Sequence, residues 1–146
     1  ENMCKRLKVP NEYYDFARLV VFYHSFVHHL YQSGAEGIVM LFNHLDAWRR
    51  PERIKPWILC CKCDFLGRKG FENRPFPRAE YFMEMFAICR TVTAQEFVQQ
   101  GLKGVAIRDA MHKRRVELIE TFMQTLPRTE IDDWANSQPA ADSVRD

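Results

Sequence analysis

Two histidines stand four residues apart in FYHSFVHHLY, at His24 and His28. On a helix, positions i and i+4 lie one above the other, so imidazoles at that spacing reach one metal ion. The pair reads as half of a divalent-metal site, to be completed by carboxylates elsewhere, or as two histidines of a polar face. His29 points away from them. The cluster CCKC, Cys60 to Cys63, has no matching second pair at a distance, and Cys4 and Cys89 are single. Buried, reduced thiols are the simpler reading there.

Two basic stretches carry a different chemistry. In CKCDFLGRKGFENRPFPR, Lys62, Arg68, Lys69, Arg74 and Arg78 face only Asp64 and Glu72 as acids. Gly67 and Gly70 let backbone N–H groups approach an anion, and the Arg68 guanidinium can fork onto phosphate oxygens. The plainer alternative is a helix connector in which Asp64 and Arg68 pair to fix the turn. In GLKGVAIRDAMHKRRVELIE, Lys103 and Gly104 precede a helix whose first turn holds no acid, a natural anion site. Arg108, His112 and Arg115 then fall at i, i+4 and i+7, with Lys113 and Arg114 beside them. Ile107, Met111, Leu118 and Phe122 are expected on the opposite side. Such a stripe is either a solvated face or part of a polyanion footprint. Two basic, glycine-marked features in one small chain favour a nucleic-acid backbone.

The elements that must carry these residues read as all-α, a compact domain of about six helices. Asn11 is a candidate N-cap, with Glu12 and Asp15 suited to the first turn. Phe16, Leu19, Val20, Tyr23, Val27 and Leu30 recur at three and four, one apolar face that Ser33-Gly34 ends. A second helix is expected over 36–48, with Ile38, Leu41, Phe42 and Leu45 inward. Pro51 suits the first turn of a third, to about Cys63, burying Ile54, Trp57, Ile58 and Cys61. Pro77 begins a fourth, with Tyr81, Phe82, Met85, Phe86 and Cys89 as its inner set. Thr93 to Glu96 has the capping-box pattern of a short fifth helix ending at Gly101. The sixth runs from Gly104 to about Thr125, where Pro127 stops it. No period-2 segment argues for a strand.

With 146 residues the chain is sized for one domain with a real core. No apolar run approaches the ~20 residues of a membrane helix. Five cysteines, odd in number and bunched, fit a reducing cytoplasm better than a secreted disulfide scaffold. Residues 127–146 carry a net −3 against +5 for 1–126, so a modestly basic body precedes an acidic tail expected to be disordered. ENMCKRLKVP, without an initial Met, reads as the end of a helix already under way, in a fragment of a longer protein.

Four segments together carry a resemblance: VPNEYYDFARLVVFYHSFVHHLY, LFNHLDAWRRPERI, the D-x-x-G-R-x-G-F-E of Asp64 to Glu72, and GLKGVAIRDAMHKRR. In order and spacing they resemble the C-terminal part of bacterial CCA-adding enzymes, tRNA nucleotidyltransferases of the multifunctional type that bears an HD domain. The resemblance covers about residues 7–126. It implies that the full enzyme adds or repairs the CCA end of tRNA from ATP and CTP. The catalytic carboxylates and their Mg²⁺ would belong to an upstream domain. It further implies a metal-dependent phosphohydrolase region whose principal His-Asp motif also lies upstream. Where the family pattern has His-Asp, this chain has His24-Ser25, so a carboxylate is replaced while both histidines remain. On this footing the RNA-contacting residues are expected to be Arg68, Lys69, Arg74, Lys103, Arg108, Lys113, Arg114 and Arg115, with His24 and His28 as metal candidates. Two other readings stay open: a stand-alone HD-like phosphohydrolase, and a helical interaction module that binds no nucleic acid.

Overall fold

The computed structural model describes residues 2–127, and the expected acidic tail beyond them lies outside the described residues. A single turn, α1 (Asn2–Arg6), precedes a six-helix body: α2 (Asn11–Tyr23), α3 (Gly34–His44), α4 (Ile54–Leu66), α5 (Arg78–Arg90), α6 (Ala94–Gln99) and α7 (Val105–Thr125). Two short 3-10 helices, His24–His29 and Pro51–Arg53, join them. Among the described residues there is no strand, and no helix is long and apolar enough to cross a membrane.

One aromatic-rich core holds the helices together. Phe42 of α3 lies against Phe82 and Phe86 of α5, with ring centroids 4.8 and 5.3 Å apart. Trp57 of α4 meets Phe82 at 5.3 Å and is fully buried, its indole N–H reaching the Leu19 carbonyl at 3.4 Å. Each such ring contributes roughly 1.5–3 kcal/mol by leaving water. The inward sets expected for α3, α4 and α5 are the buried ones, except Tyr81, which is half-buried. On α2 the expected face packs against the core, but nothing on that helix is fully buried.

The boundaries differ where side chains intervene. The helix expected to run unbroken to Ser33 changes at Tyr23, whose φ is −121° and ψ −4°, into the 3-10 helix His24–His29. Nδ1 of His24 lies 3.0 Å from the Val20 carbonyl oxygen and 3.1 Å from that of Val21. The ring thus competes for acceptors of the α ladder at this point. Asn11 is the first helical residue rather than the cap, and Pro10 holds the cap position. Thr93 has the extended cap geometry expected, but its side chain makes no cap hydrogen bond. Four glycines have positive φ, among them Gly70 at +85° and Gly104 at +53°, ψ −120°, where α7 starts.

Candidate functional site

The loop after α4 is fastened at three points. Phe71 and Phe76 fold back onto Phe65, with centroids 5.2 and 4.7 Å away. Arg74 lies over Phe71, its guanidinium carbon 4.1 Å from the ring centroid. Arg68 donates from Nη2 to Asp64 Oδ2 at 3.2 Å and contacts Nε2 of His28 at 3.1 Å. A guanidinium has only donors, so Nε2 accepts and His28 is the neutral Nδ1–H tautomer. Burial first, and then the Arg68 charge, hold the His28 imidazole below its ordinary value, against the opposing pull of Asp64, whose Oδ2 lies 3.6 Å from the same nitrogen. Of the backbone expected to face an incoming anion, the Gly67 N–H bonds the Cys63 carbonyl at 2.9 Å. Backbone N–H groups of Glu72 and Gly70 hold the Glu72 carboxyl below the usual carboxylate range. Gly67 has an ordinary helical φ of −73°, so only Gly70 uses glycine's freedom here. Lys69 is exposed.

On α7 the basic stripe turns inward as it proceeds. Arg108 stays out, beside Asp109 at 3.4 Å. His112 Nε2 meets Glu36 Oε1 of α3 at 2.7 Å. Arg115 lies over Trp48, guanidinium carbon to ring centroid 3.7 Å, and its Nε donates to the Cys89 carbonyl at 3.4 Å. One turn on, Ile119 is the fully buried residue of the helix. Positions 108, 112, 115 and 119 are one line, and α7 packs across α3 and α5, so that line is the inner seam from His112 onward. The apolar line expected to be the inner one, Ile107, Met111, Leu118 and Phe122, is only half-buried. Lys113 and Arg114 are exposed, Arg114 3.5 Å from Glu117, and Lys103 is exposed before the helix.

His24 and His28 sit in 3-10 geometry, where about three residues complete a turn and i,i+4 positions no longer align. His24 is engaged with its own preceding turn and His28 with Arg68. Among the described residues no three His, Cys, Asp or Glu side chains gather to hold a metal ion. These residues alone therefore do not assemble the ligand set that the resemblance implies. The cysteines behave as inert core groups at two positions: burial pushes the thiols of Cys61 and Cys89 up to about 12. Cys60 is half-buried and Cys63 exposed.

Two features escape a search for charge and metal spacing. Arg78, read as a loop cation, is buried at 6% exposure and lies 5.5 Å from the Tyr31 ring centroid. On α2, Arg18 lies between Tyr14 and Phe22, its guanidinium carbon 5.8 and 5.7 Å from their centroids. The signal was present in the sequence as an aromatic, arginine, aromatic series at steps of four, beside the apolar stripe.

An all-α domain with exposed cations on a loop and on the outer side of its last helix is the class these features define. Compared with known proteins, the chain is 39% identical over 118 residues to the multifunctional CCA protein of Thioalkalivibrio sulfidiphilus, covering 81% of this chain and 29% of that protein. It is 38% identical over 123 residues to that of Vibrio campbellii, and 41% over 127 residues to that of Pasteurella multocida. Those matches cover 84% and 86% of this chain and 30% of each relative. The chain therefore matches part of the multifunctional CCA proteins, as its four segments indicate, and spans about 30% of the length of these curated relatives. No family model and no solved structure matches it.

Proposed function

We propose that the chain is the C-terminal helical part of a CCA-adding tRNA nucleotidyltransferase and that it holds tRNA by its phosphate backbone. The observation that carries this reading is the similarity to multifunctional CCA proteins along 81–86% of the chain. Exposed cations support it: Lys69 and Arg74 on the loop, and Lys103, Arg108, Lys113 and Arg114 around α7. Arg68 takes part from a position shared with Asp64 and His28, and Arg115 from one shared with Trp48. Phosphate contacts position a substrate without reading its sequence, which suits an enzyme that must accept many tRNAs.

In this reading residues 1–126 form the tRNA-holding domain and 127–146 an acidic tail. Nucleotide addition from ATP and CTP, with its Mg²⁺, belongs to the part of the relatives that this chain does not span. His24 and His28 belong to a phosphohydrolase region whose principal His-Asp motif lies in the part of the relatives that this chain does not span.

The test is tRNA binding by this chain across a salt series, with duplex DNA as control. Preference for tRNA, with affinity falling steeply as salt rises, is the expected outcome. Replacing Lys113 and Arg114 with Ala should reduce the log–log salt slope by ~0.7–0.9 for each phosphate no longer neutralised. Equal binding of the two nucleic acids, or none at low salt, would reject the tRNA reading and favour a helical interaction module.

A further inference from the structure

We infer that the outward side of α2 is a stacking platform for single-stranded RNA, built on the Tyr14–Arg18–Phe22 ladder. The inference rests on the tRNA reading for the identity of the strand. Tyr14, Arg18 and Phe22 are separated by steps of four, so they form one stripe along the helix, about 12 Å long. Arg18 is sandwiched between the two rings and, among the described residues, forms no ion pair. The ladder continues across the helix end. Phe22 meets Tyr23 at 6.4 Å, and Tyr23 stacks on His44 at 5.2 Å with the planes 14° apart.

This surface is left open by the fold. Phe22 is 64% exposed and Val21 68%, on a helix that is otherwise packed against α4. Such apolar side chains normally find cover, and two bare ones beside the Arg18 ladder mark an interaction surface. Arg53 of the 3-10 turn lines grooves on both flanks: one with Arg18, Phe22 and Tyr23, the other with Tyr13 and Arg50.

Charge selects the partner. Lys5 and Lys8 line a groove beside Tyr14, and Arg53 lines one beside Arg18 and Phe22, with Asp15 as the acid in the second. A net positive rim around exposed rings on a rigid helix fits an unpaired polyanion with flat bases. Bases stack on the rings while guanidinium N–H groups take the backbone phosphates. A duplex keeps its bases inside and gains only the phosphate interaction, so the platform distinguishes single strands from paired ones.

The test uses the purified chain with a labelled 12-nucleotide single-stranded RNA and the same sequence as a duplex, titrated across salt. Phe22→Ala should weaken single-strand binding roughly tenfold or more, since it removes an aromatic face on which a base stacks. Arg18→Gln should lower the salt slope for the single strand by ~0.7. Both positions are exposed, and circular dichroism verifies that the variants stay folded. Wild-type affinity for the single strand in both variants would overturn the inference. So would a dimer that Phe22→Ala breaks without changing RNA affinity, because a second copy would then be the occupant. If tRNA binding responds to Lys113 and Arg114 but not to these variants, the tRNA reading stands and the platform falls. If the variants lose the single strand while tRNA is bound no better than duplex DNA, the platform stands and the tRNA reading falls.

Discussion

Arg68 reaches back across forty residues to Nε2 of His28 at 3.1 Å, joining the loop after α4 to the 3-10 helix after α2. Asp64 completes the group, with Oδ2 3.2 Å from Arg68 and 3.6 Å from His28. Only the neutral imidazole can accept from the guanidinium. The contact is therefore coupled to the protonation of one buried ring.

Stability should depend on pH through His28. Its folded value is depressed below 6.5, so between the two values the unfolded chain binds more protons than the folded one. The contribution is fully present above about 6.5 and is lost as pH falls through the window beneath it. Urea denaturation across pH should show this loss in the wild type and a flatter profile in His28→Gln, whose amide still accepts from Arg68. Superimposable pH profiles for the two proteins would reject the assignment.

Arg115 and its neighbours on α7 should separate stability from binding. Removing the Arg115 side chain takes away the guanidinium over Trp48 and a donor to the Cys89 carbonyl. Arg115→Ala should therefore cost ~1–2 kcal/mol in denaturant unfolding. Lys113→Ala and Arg114→Ala, at exposed positions, should stay within about 0.5 kcal/mol of wild type. Their effect is expected in tRNA affinity, measured on the same preparations.

Thiol reactivity should sort by burial. Cys61 and Cys89, with values of about 12, carry almost no thiolate at neutral pH. An aromatic disulfide reagent should modify the exposed Cys63 quickly in the native chain and reach Cys61 and Cys89 only after denaturant is added. Rapid native labelling of Cys61, located by peptide mapping, would contradict the packing around α4.

Trp57 is the residue whose loss should hurt the fold most. It is fully buried, touches Phe82 and donates to the Leu19 carbonyl, so it joins α4 to both α5 and α2. Trp57→Ala should destabilise by ~3–5 kcal/mol. Thermal unfolding followed by circular dichroism gives the comparison, and a change below about 1 kcal/mol would mean that the core does not depend on this indole.

The inner faces of α3, α4 and α5 were legible because their apolar residues recur at helical spacing, Arg78 at the start of α5 being the buried exception. Ile38, Phe42, Trp57 and Phe82 needed only the period of 3.6. Helix α7 was harder. Its seam toward α3 contains His112 and Arg115, and a stripe of cations is indistinguishable in sequence from a solvated face. An arginine can lie inward when an indole face and a carbonyl receive it, and both receivers come from elsewhere in the chain. The same limit applied to His24 and His28. Their spacing implied a shared face only for an α-helix, and the shift to 3-10 geometry depends on where the His24 ring finds carbonyl oxygens.

By itself the sequence determined the helical class, most helix starts, the core of the middle helices and the resemblance to CCA-adding enzymes carried by four ordered segments. Those are properties of local period, turn chemistry and order along the chain. Tertiary structure alone decided which cations face solvent, that Arg115 lies over Trp48, and that Arg68 meets His28. Each of these is a contact between groups whose approach depends on how separate elements pack, and spacing along one element carries no record of that.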